Sequence, residues 1–239
     1  MSGGAGFAGA GAGSARVVLK LGGRVASGAA EEALALREAG HEVVVVHGAG
    51  PQISSELERR AIPIRFVSGR RVTTPEVLEV VRESLLEVNA EVCAAIGPDA
   101  VRLAGDEIGL QAEPVPELGL VGDPVPFAPV AVVRALSAGF VPVIAPLATH
   151  PALGTLNVNA DEAAAALAVA LGAERILFLS DVPGVLVDGD VVASLPVADA
   201  DRMLGAGEFE GGIVPKLTAA VRAARKGVHA EIGQTRVHA

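Results

Sequence analysis

Glu42-Val-Val-Val-Val-His47-Gly-Ala-Gly-Pro-Gln52 is the stretch from which the rest of the chain is read. Four consecutive valines are too apolar for a strand with one wet face. A β-branched run that stops at glycines reads as a central strand buried on both sides. Residues 47–50 then turn tightly, and Pro51 suits the first turn of a helix, where its missing N–H costs nothing. With Ile53 and Leu57 four apart, residues 52–61 continue as that helix. Strand, glycine turn and helix N-terminus aim backbone N–H groups at one spot, with the positive end of the helix dipole behind them. The same geometry also serves as a plain βα connection, and the remainder of the chain weighs between the two.

Upstream, residues 17–21 form a strand that ends at Gly22-Gly23, with Lys20 at its carboxyl end. In open α/β sheets that edge is where ligands bind. A helix over 29–39, stopped by Gly40, leads back to the valines. The opening is therefore βαβα, which predicts a parallel sheet with helices on both faces. Residues 1–15 are almost all Gly, Ala and Ser and read as a flexible tail. The formal G-x-G-x-x-G at Gly4–Gly9 has no strand before it and is not a dinucleotide fingerprint.

Downstream, residues 64–74 suggest a hairpin around Ser68-Gly69. Its arginines, Arg70 and Arg71, suit a bidentate clamp on a carboxylate or a solvated tip. Thr74 and Pro75 start a helix to residue 96 whose apolar set is wider than one stripe. It is either deeply buried or meets another subunit. Short strands follow at 100–104, 110–115, 118–121 and 140–145, with a helix at 127–138. Asn157, Asn159 and Asp161 crowd the start of an alanine-rich helix that runs to 171, more polar groups than capping alone requires. A strand at 175–179 leads to 180–186. Asp188-Gly189 suits a hairpin turn before 191–194. A helix at 197–204, a glycine-rich loop into a helix ending near Lys226, and a last strand at 228–232 complete the chain.

Composition narrows the function classes. The chain has 239 residues, half of them apolar, which is enough for a large core in one domain or two joined lobes. A formal charge of −9 argues against a nucleic-acid surface or an anionic membrane. No apolar run approaches a membrane span, and the N-terminus lacks the basic and apolar regions of a secretory signal. The lone Cys93 points to a reducing cytosol, hence a cytoplasmic protein, and reads as an inert core thiol. Of 19 basic residues only Lys20, Lys216 and Lys226 are lysine. In so arginine-rich a chain a lysine marks a place that needs a compact ammonium, although Lys226, at a helix end, reads as solvated.

Six pieces in this order resemble the amino-acid kinase family: Val18-Leu-Lys-Leu-Gly-Gly23, Val46-His-Gly-Ala-Gly-Pro51, Gly69-Arg-Arg-Val-Thr73, Asn157-Val-Asn-Ala-Asp161, Ser180-Asp-Val-Pro-Gly-Val185 and Gly211-Gly-Ile-Val-Pro-Lys216. The resemblance spans nearly the whole chain after residue 15. It implies a three-layer αβα sandwich with a mainly parallel sheet: an acyl-amino-acid lobe at 16–172 and a nucleotide lobe at 173–239. It implies ATP, with Mg²⁺ carried on its phosphates and no metal held by the protein. The acceptor it implies is the side-chain carboxylate of N-acetyl-L-glutamate, in arginine synthesis. By motif, Lys20 and Lys216 are the catalytic cations and Asp161 orients both. Arg71, Asn157 and the amides of Ala49 and Gly50 hold the substrate. Asp181, Val182, Pro183, Gly184, Val185 and Leu186, with Phe209 and Glu210, line the nucleotide site.

A carboxylate is already a nucleophile, so such chemistry needs charge neutralisation and positioning rather than a general base. Two other readings are a sister kinase acting on carrier-protein-linked α-aminoadipate or glutamate, and a ligand-binding member without catalysis. Asn159-Ala160 and the acidic charge favour the free acetylated substrate over the carrier-linked one.

Three departures from the family pattern stand out. Ala49 replaces a glycine, which would cost about 1 kcal/mol if φ there were positive. Gly105-Asp-Glu-Ile108 replaces Gly-x-Asp-Gly. The C-terminal region lacks a strand and helix, so the nucleotide lobe is expected to be trimmed at its edge. Relatives inhibited by arginine carry an amphipathic N-terminal helix, which the glycine-rich residues 1–15 do not support. The expectation is a homodimer through the apolar surface of 75–96, insensitive to arginine.

Overall fold

The computed structural model describes residues 14–22, 26–179 and 182–239. The expected tail (all but Ser14 and Ala15), Gly23 and Asp181 lie outside the described residues. The chain opens with β1 (Arg16–Leu21), α1 (Ala26–Glu38), β2 (Glu42–His47) and α2 (Gly50–Arg59). A small hairpin, β3 (Phe66–Val67) and β4 (Arg70–Arg71), precedes α3 (Pro75–Ile96) and β5 (Ala100–Ala104). Next come β6 (Ala112–Pro114), β7 (Val121–Pro124), α4 (Val130–Ser137), β8 (Val141–Ala145), β9 (Leu147–His150), β10 (Gly154–Val158) and α5 (Ala160–Ala170). The last part holds β11 (Arg175–Leu179), the hairpin β12 (Leu186–Val187) and β13 (Asp190–Val191), β14 (Ser194–Pro196), α6 (Val197–Ala206), α7 (Ile213–Ala224), β15 (His229–Ile232) and β16 (Thr235–His238).

The main sheet has eight strands in the order β14-β16-β15-β11-β1-β2-β8-β5. From β15 to β5 every neighbouring pair is parallel, whereas β16 runs antiparallel to β15 and carries β14 with it. The sheet is continuous across residue 172, where the two expected lobes meet, because β1 pairs directly with β11. Alternation divides the core between the two faces. Val43 and Val45 join the cluster that α1, α2 and α3 complete, while Val44 and Val46 join that of α4, α5 and α7. All four valines are at most 2% exposed. Burial of each such side chain contributes roughly 1.5–3 kcal/mol. The architecture is the expected αβα sandwich.

Local chemistry explains several boundaries. Oγ1 of Thr74 accepts the N–H of Val77 at 3.3 Å, and Pro75 opens α3, as read from the sequence. Ser68 and Gly69, at φ 48° and 76°, both turn left-handed, as a two-residue hairpin requires. Cys93 is buried, and burial raises its thiol to about 11, which fits an inert core residue. Lys226 is exposed just beyond α7, as expected.

Other readings are corrected. Leu118 closes a 3-10 turn, Pro116–Leu118, and the strand expected at 118–121 begins only at Val121. The helix expected from 127 starts at Val130, because Pro126 and Pro129 hold the preceding chain extended. The strand at 228–232 is not the last one: β16 follows after a turn at Gly233-Gln234. There is also a second sheet, β6-β7-β10-β9, and its strands β9 and β10 were not read from the sequence. Finally, α3 spends most of its wide apolar set inside its own chain. Ten of its residues are buried, leaving Leu78 and Leu86 half-exposed, so the surface expected there is much smaller.

Candidate active site

Lys20 lies one residue from the end of β1, in register with Val46 of β2 and Phe178 of β11. Its side chain therefore rises on the α5–α7 face. Asp161 is the second residue of α5, and Lys216 sits in the first turn of α7. Three distant segments converge here because parallel strands deliver their carboxyl ends, and the helix starts beside them, to one edge. Nζ of Lys20 and Nζ of Lys216 each stand 2.9 Å from the same oxygen, Oδ1 of Asp161. All three residues are buried, at 6–7% exposure. Burial works to raise the Asp161 carboxyl, but the two ammonium groups hold it below its ordinary range. Burial lowers Lys20, which Asp161 opposes and Lys216 reinforces. Two cations thus share one anion out of water, and the cluster favours an incoming negative group. Lys216 Nζ also lies 5.7 Å from the Phe178 ring centre, a cation–π contact.

A cavity of about 280 Å³ opens beside Lys20 and Asp161, and Ala49, Gly50, Arg71 and Asn157 line it. The acceptor half of the expected set is therefore brought together. Ala49 has φ −141°, so the turn needs no left-handed residue and the alanine carries no strain. Helix α2 starts at Gly50, where backbone N–H groups lack acceptors within the helix. Nη2 of Arg71 donates to Oγ of Ser54 at 2.9 Å, and its guanidinium lies 4.7 Å from the centre of the Phe66 ring. Its Nη1 is buried with no hydrogen-bond partner among the described residues, which leaves a donor to spare. Arg70, by contrast, donates to Oδ1 of Asp123 at 2.6 Å and is no equal partner in a clamp. Asn157 lies in β10 rather than at a helix start. Its Nδ2 donates to Oγ1 of Thr73, which in turn donates to the carbonyl of Arg71. Asn159 is the cap of α5, accepting the N–H groups of Asp161 and Glu162 at 2.9 and 3.2 Å.

The expected nucleotide residues among those described do not line that cavity, and they divide. Val182, Pro183 and Leu186 are exposed, and so is Glu210, while Phe209 is half-buried against the core. Val185 is fully buried and its N–H donates to Oγ1 of Thr235 at 2.8 Å, so its side chain supports the loop instead of lining a site. A Cβ on Gly184 would come within 2.7 Å of that same Thr235 oxygen, which makes the glycine a packing requirement.

Sequence reasoning missed Ser54, Phe66, Thr73 and Asn89. Ser54 stands one helical turn after Gly50, and Phe66 is paired with Arg71 across the hairpin, both spacings that were open to inspection. Asn89 carried no such signal. Its Nδ2 meets Nε2 of His47 and donates to the carbonyl of Val143, both at 3.0 Å, beneath the turn. Burial lowers His47 to about 4 against the Gly48 carbonyl, with the Lys20 charge lowering it further.

The sequence pattern of the amino acid kinase family matches residues 15–233. The chain is 44% identical to the acetylglutamate kinase of Rubrobacter xylanophilus, an alignment covering 90% of this chain and 87% of that one. It is 40% identical to the acetylglutamate kinase of Geobacillus kaustophilus, over 87% and 84% of the two chains. Among solved structures, smu.665 of Streptococcus mutans UA159 superposes with a TM-score of 0.86 at 26% identity, covering 93% of this chain and 98% of that one.

Proposed function

The chain belongs to the amino acid kinase family, and on that footing we infer that it transfers the γ-phosphoryl group of ATP to the side-chain carboxylate of N-acetyl-L-glutamate. The observation that carries this reading is the shared oxygen of Asp161: two buried lysines meet there, and Asp161 and Lys20 line the same cavity as Arg71. The positive surplus suits a polyphosphate, and the spare donor of Arg71 suits the α-carboxylate of an acyl amino acid.

ATP, with Mg²⁺ on its phosphates, supplies the phosphoryl group. Lys20 and Lys216 neutralise charge on that group from two sides as it moves. Asp161 keeps their ammonium groups at one point without taking a proton. Arg71 and Asn157 hold the acceptor so that its carboxylate meets the phosphorus in line, and the amides at Ala49 and Gly50 draw off charge. In this reading the exposed residues of 181–186, with Phe209 and Glu210, face the nucleotide. Residues 16–172 act as the acceptor lobe and 173–239 as the nucleotide lobe.

No helix among the described residues is long and apolar enough to cross a membrane. We place the enzyme in the cytoplasm as a homodimer, with Leu78 and Leu86 of α3 at its interface. The deciding experiment measures ATP consumption with N-acetyl-L-glutamate, glutamate, aspartate, carbamate and UMP in parallel. N-acetyl-L-glutamate is expected to turn over fastest, and equal or faster turnover of any other acceptor overturns the reading.

A further inference from the structure

Glu162, the neighbour of Asp161, takes part in none of these steps. It is buried in the first turn of α5. Its Oε2 lies 3.8 Å from Nη2 of Arg70, and its Oε1 lies 3.7 Å from Nη1 of Arg222. Both separations exceed hydrogen-bond range. Neither Oε2 of Glu162 nor the buried Nε of Arg70 has a hydrogen-bond partner among the described residues. Attraction at such distances does not repay the removal of a carboxylate from water. Burial accordingly raises the carboxyl; the Arg70 and Arg222 guanidiniums oppose this, and Asp123 and Asp161 reinforce it. Glu162 thus adds little to net stability, because the cost of burial offsets it, while its charge still attracts both guanidiniums.

Its position is what it offers. Arg70 adjoins Arg71 on β4 and is anchored on β7 through Oδ1 of Asp123 and the carbonyl of Gly122, at 2.6 and 3.1 Å. Arg222 lies on α7, the helix that carries Lys216. Glu162 stands between the two, on the turn that presents Asp161.

We propose that Glu162 is a positioning residue whose negative charge ties the hairpin of Arg71 to the helix of Lys216, holding the acceptor-binding arginine and the phosphoryl-binding lysine in one frame. The proposal takes its substrates from the function inferred above. Its test carries one measurement that does not depend on them. Wild type, Glu162→Gln and Arg222→Gln are compared as full chains by melting temperature, amide exchange over 66–71, and KM for each substrate. Glu162→Gln is nearly isosteric and removes a costly buried charge, so its melting temperature is expected to hold or rise. Exchange in the hairpin should quicken about tenfold. KM for N-acetyl-L-glutamate should rise about fivefold or more in both variants, with KM for ATP changed less than about twofold. A lowered melting temperature with unchanged hairpin exchange would make Glu162 an ordinary structural ion pair and overturn the proposal. An unchanged acceptor KM would overturn it too. If wild type fails to turn over N-acetyl-L-glutamate, the functional reading falls, and hairpin exchange still decides this proposal.

Discussion

At the scale of single residues, the shared oxygen of Asp161 gives the sharpest expectations. A guanidinium is broader than an ammonium and cannot stand 2.9 Å from Oδ1 at the point where Lys20 or Lys216 does. Lys20→Arg and Lys216→Arg should each lower kcat on the order of a hundredfold, the scale of losing one preorganised transition-state donor. Steady-state kinetics check this, and near-normal kcat in either variant contradicts the assignment. Arg71→Ala removes a charge-assisted contact of roughly 1.5–3 kcal/mol, so KM for the acceptor should rise at least about tenfold while KM for ATP stays close to wild type. A parallel rise in both would place Arg71 elsewhere.

His47 makes a pH prediction. Its folded pKa, about 4, lies below the ordinary 6.5. As pH falls through 6.5 the unfolded chain takes up a proton that the folded chain refuses, so stability declines from there down to about 4 and levels off below. Urea denaturation should show a loss of about 1–2 kcal/mol between pH 7.5 and pH 5 that is absent in His47→Gln.

At the scale of elements, the turn between β2 and α2 repays a test. Ala49 departs from a glycine pattern, yet its φ of −141° is open to any residue. Ala49→Gly should therefore leave activity intact and change stability by less than about 1 kcal/mol, because the extra freedom of the unfolded chain is offset by glycine's better fit at the N-cap position that Ala49 occupies. A melting curve and steady-state kinetics check it, and a loss of activity would mean that the turn depends on the alanine. The elements that were legible were those with a local cause. Four valines, the Thr74-Pro75 cap and the Ser68-Gly69 turn each contain their own reason. The second sheet was not legible because β9 and β10 are short, and the pair they form joins the rest of its sheet where β10 meets β7, across a helix and a strand of the main sheet. The reversal at β16 did have a local cause, the two-residue turn at Gly233-Gln234 that closes its hairpin with β15, but the strands expected from the sequence end one short of it. Its ladder is completed by β14, some forty residues earlier in the chain.

At the scale of the whole molecule, the prediction is assembly. With most of the apolar set of α3 folded inward, the exposed remainder at Leu78 and Leu86 suits one modest two-fold contact, not a large assembly. Light scattering should report twice the chain mass of 24.0 kDa. Millimolar arginine should leave activity unchanged, since residues 1–15 have no apolar stripe with which a helix could interlace dimers. A hexamer, or inhibition by arginine, defeats this.

The sequence by itself determined the parallel α/β core, the order of its central elements and the set Lys20, Ala49, Gly50, Arg71, Asn157 and Asp161 that lines one cavity. Periodicity, caps and turn chemistry act over a few residues, and parallel strands must bring their carboxyl ends, with Lys20 and the turn at 47–50, to one edge. Only the tertiary structure decided that one oxygen of Asp161 serves both lysines, that Val185 packs inward, that Arg70 is held by Asp123, and that Glu162 stands between two arginines. Each of these is a distance between groups far apart in the chain, set by how helices and sheets pack against each other, and no short window of residues contains it.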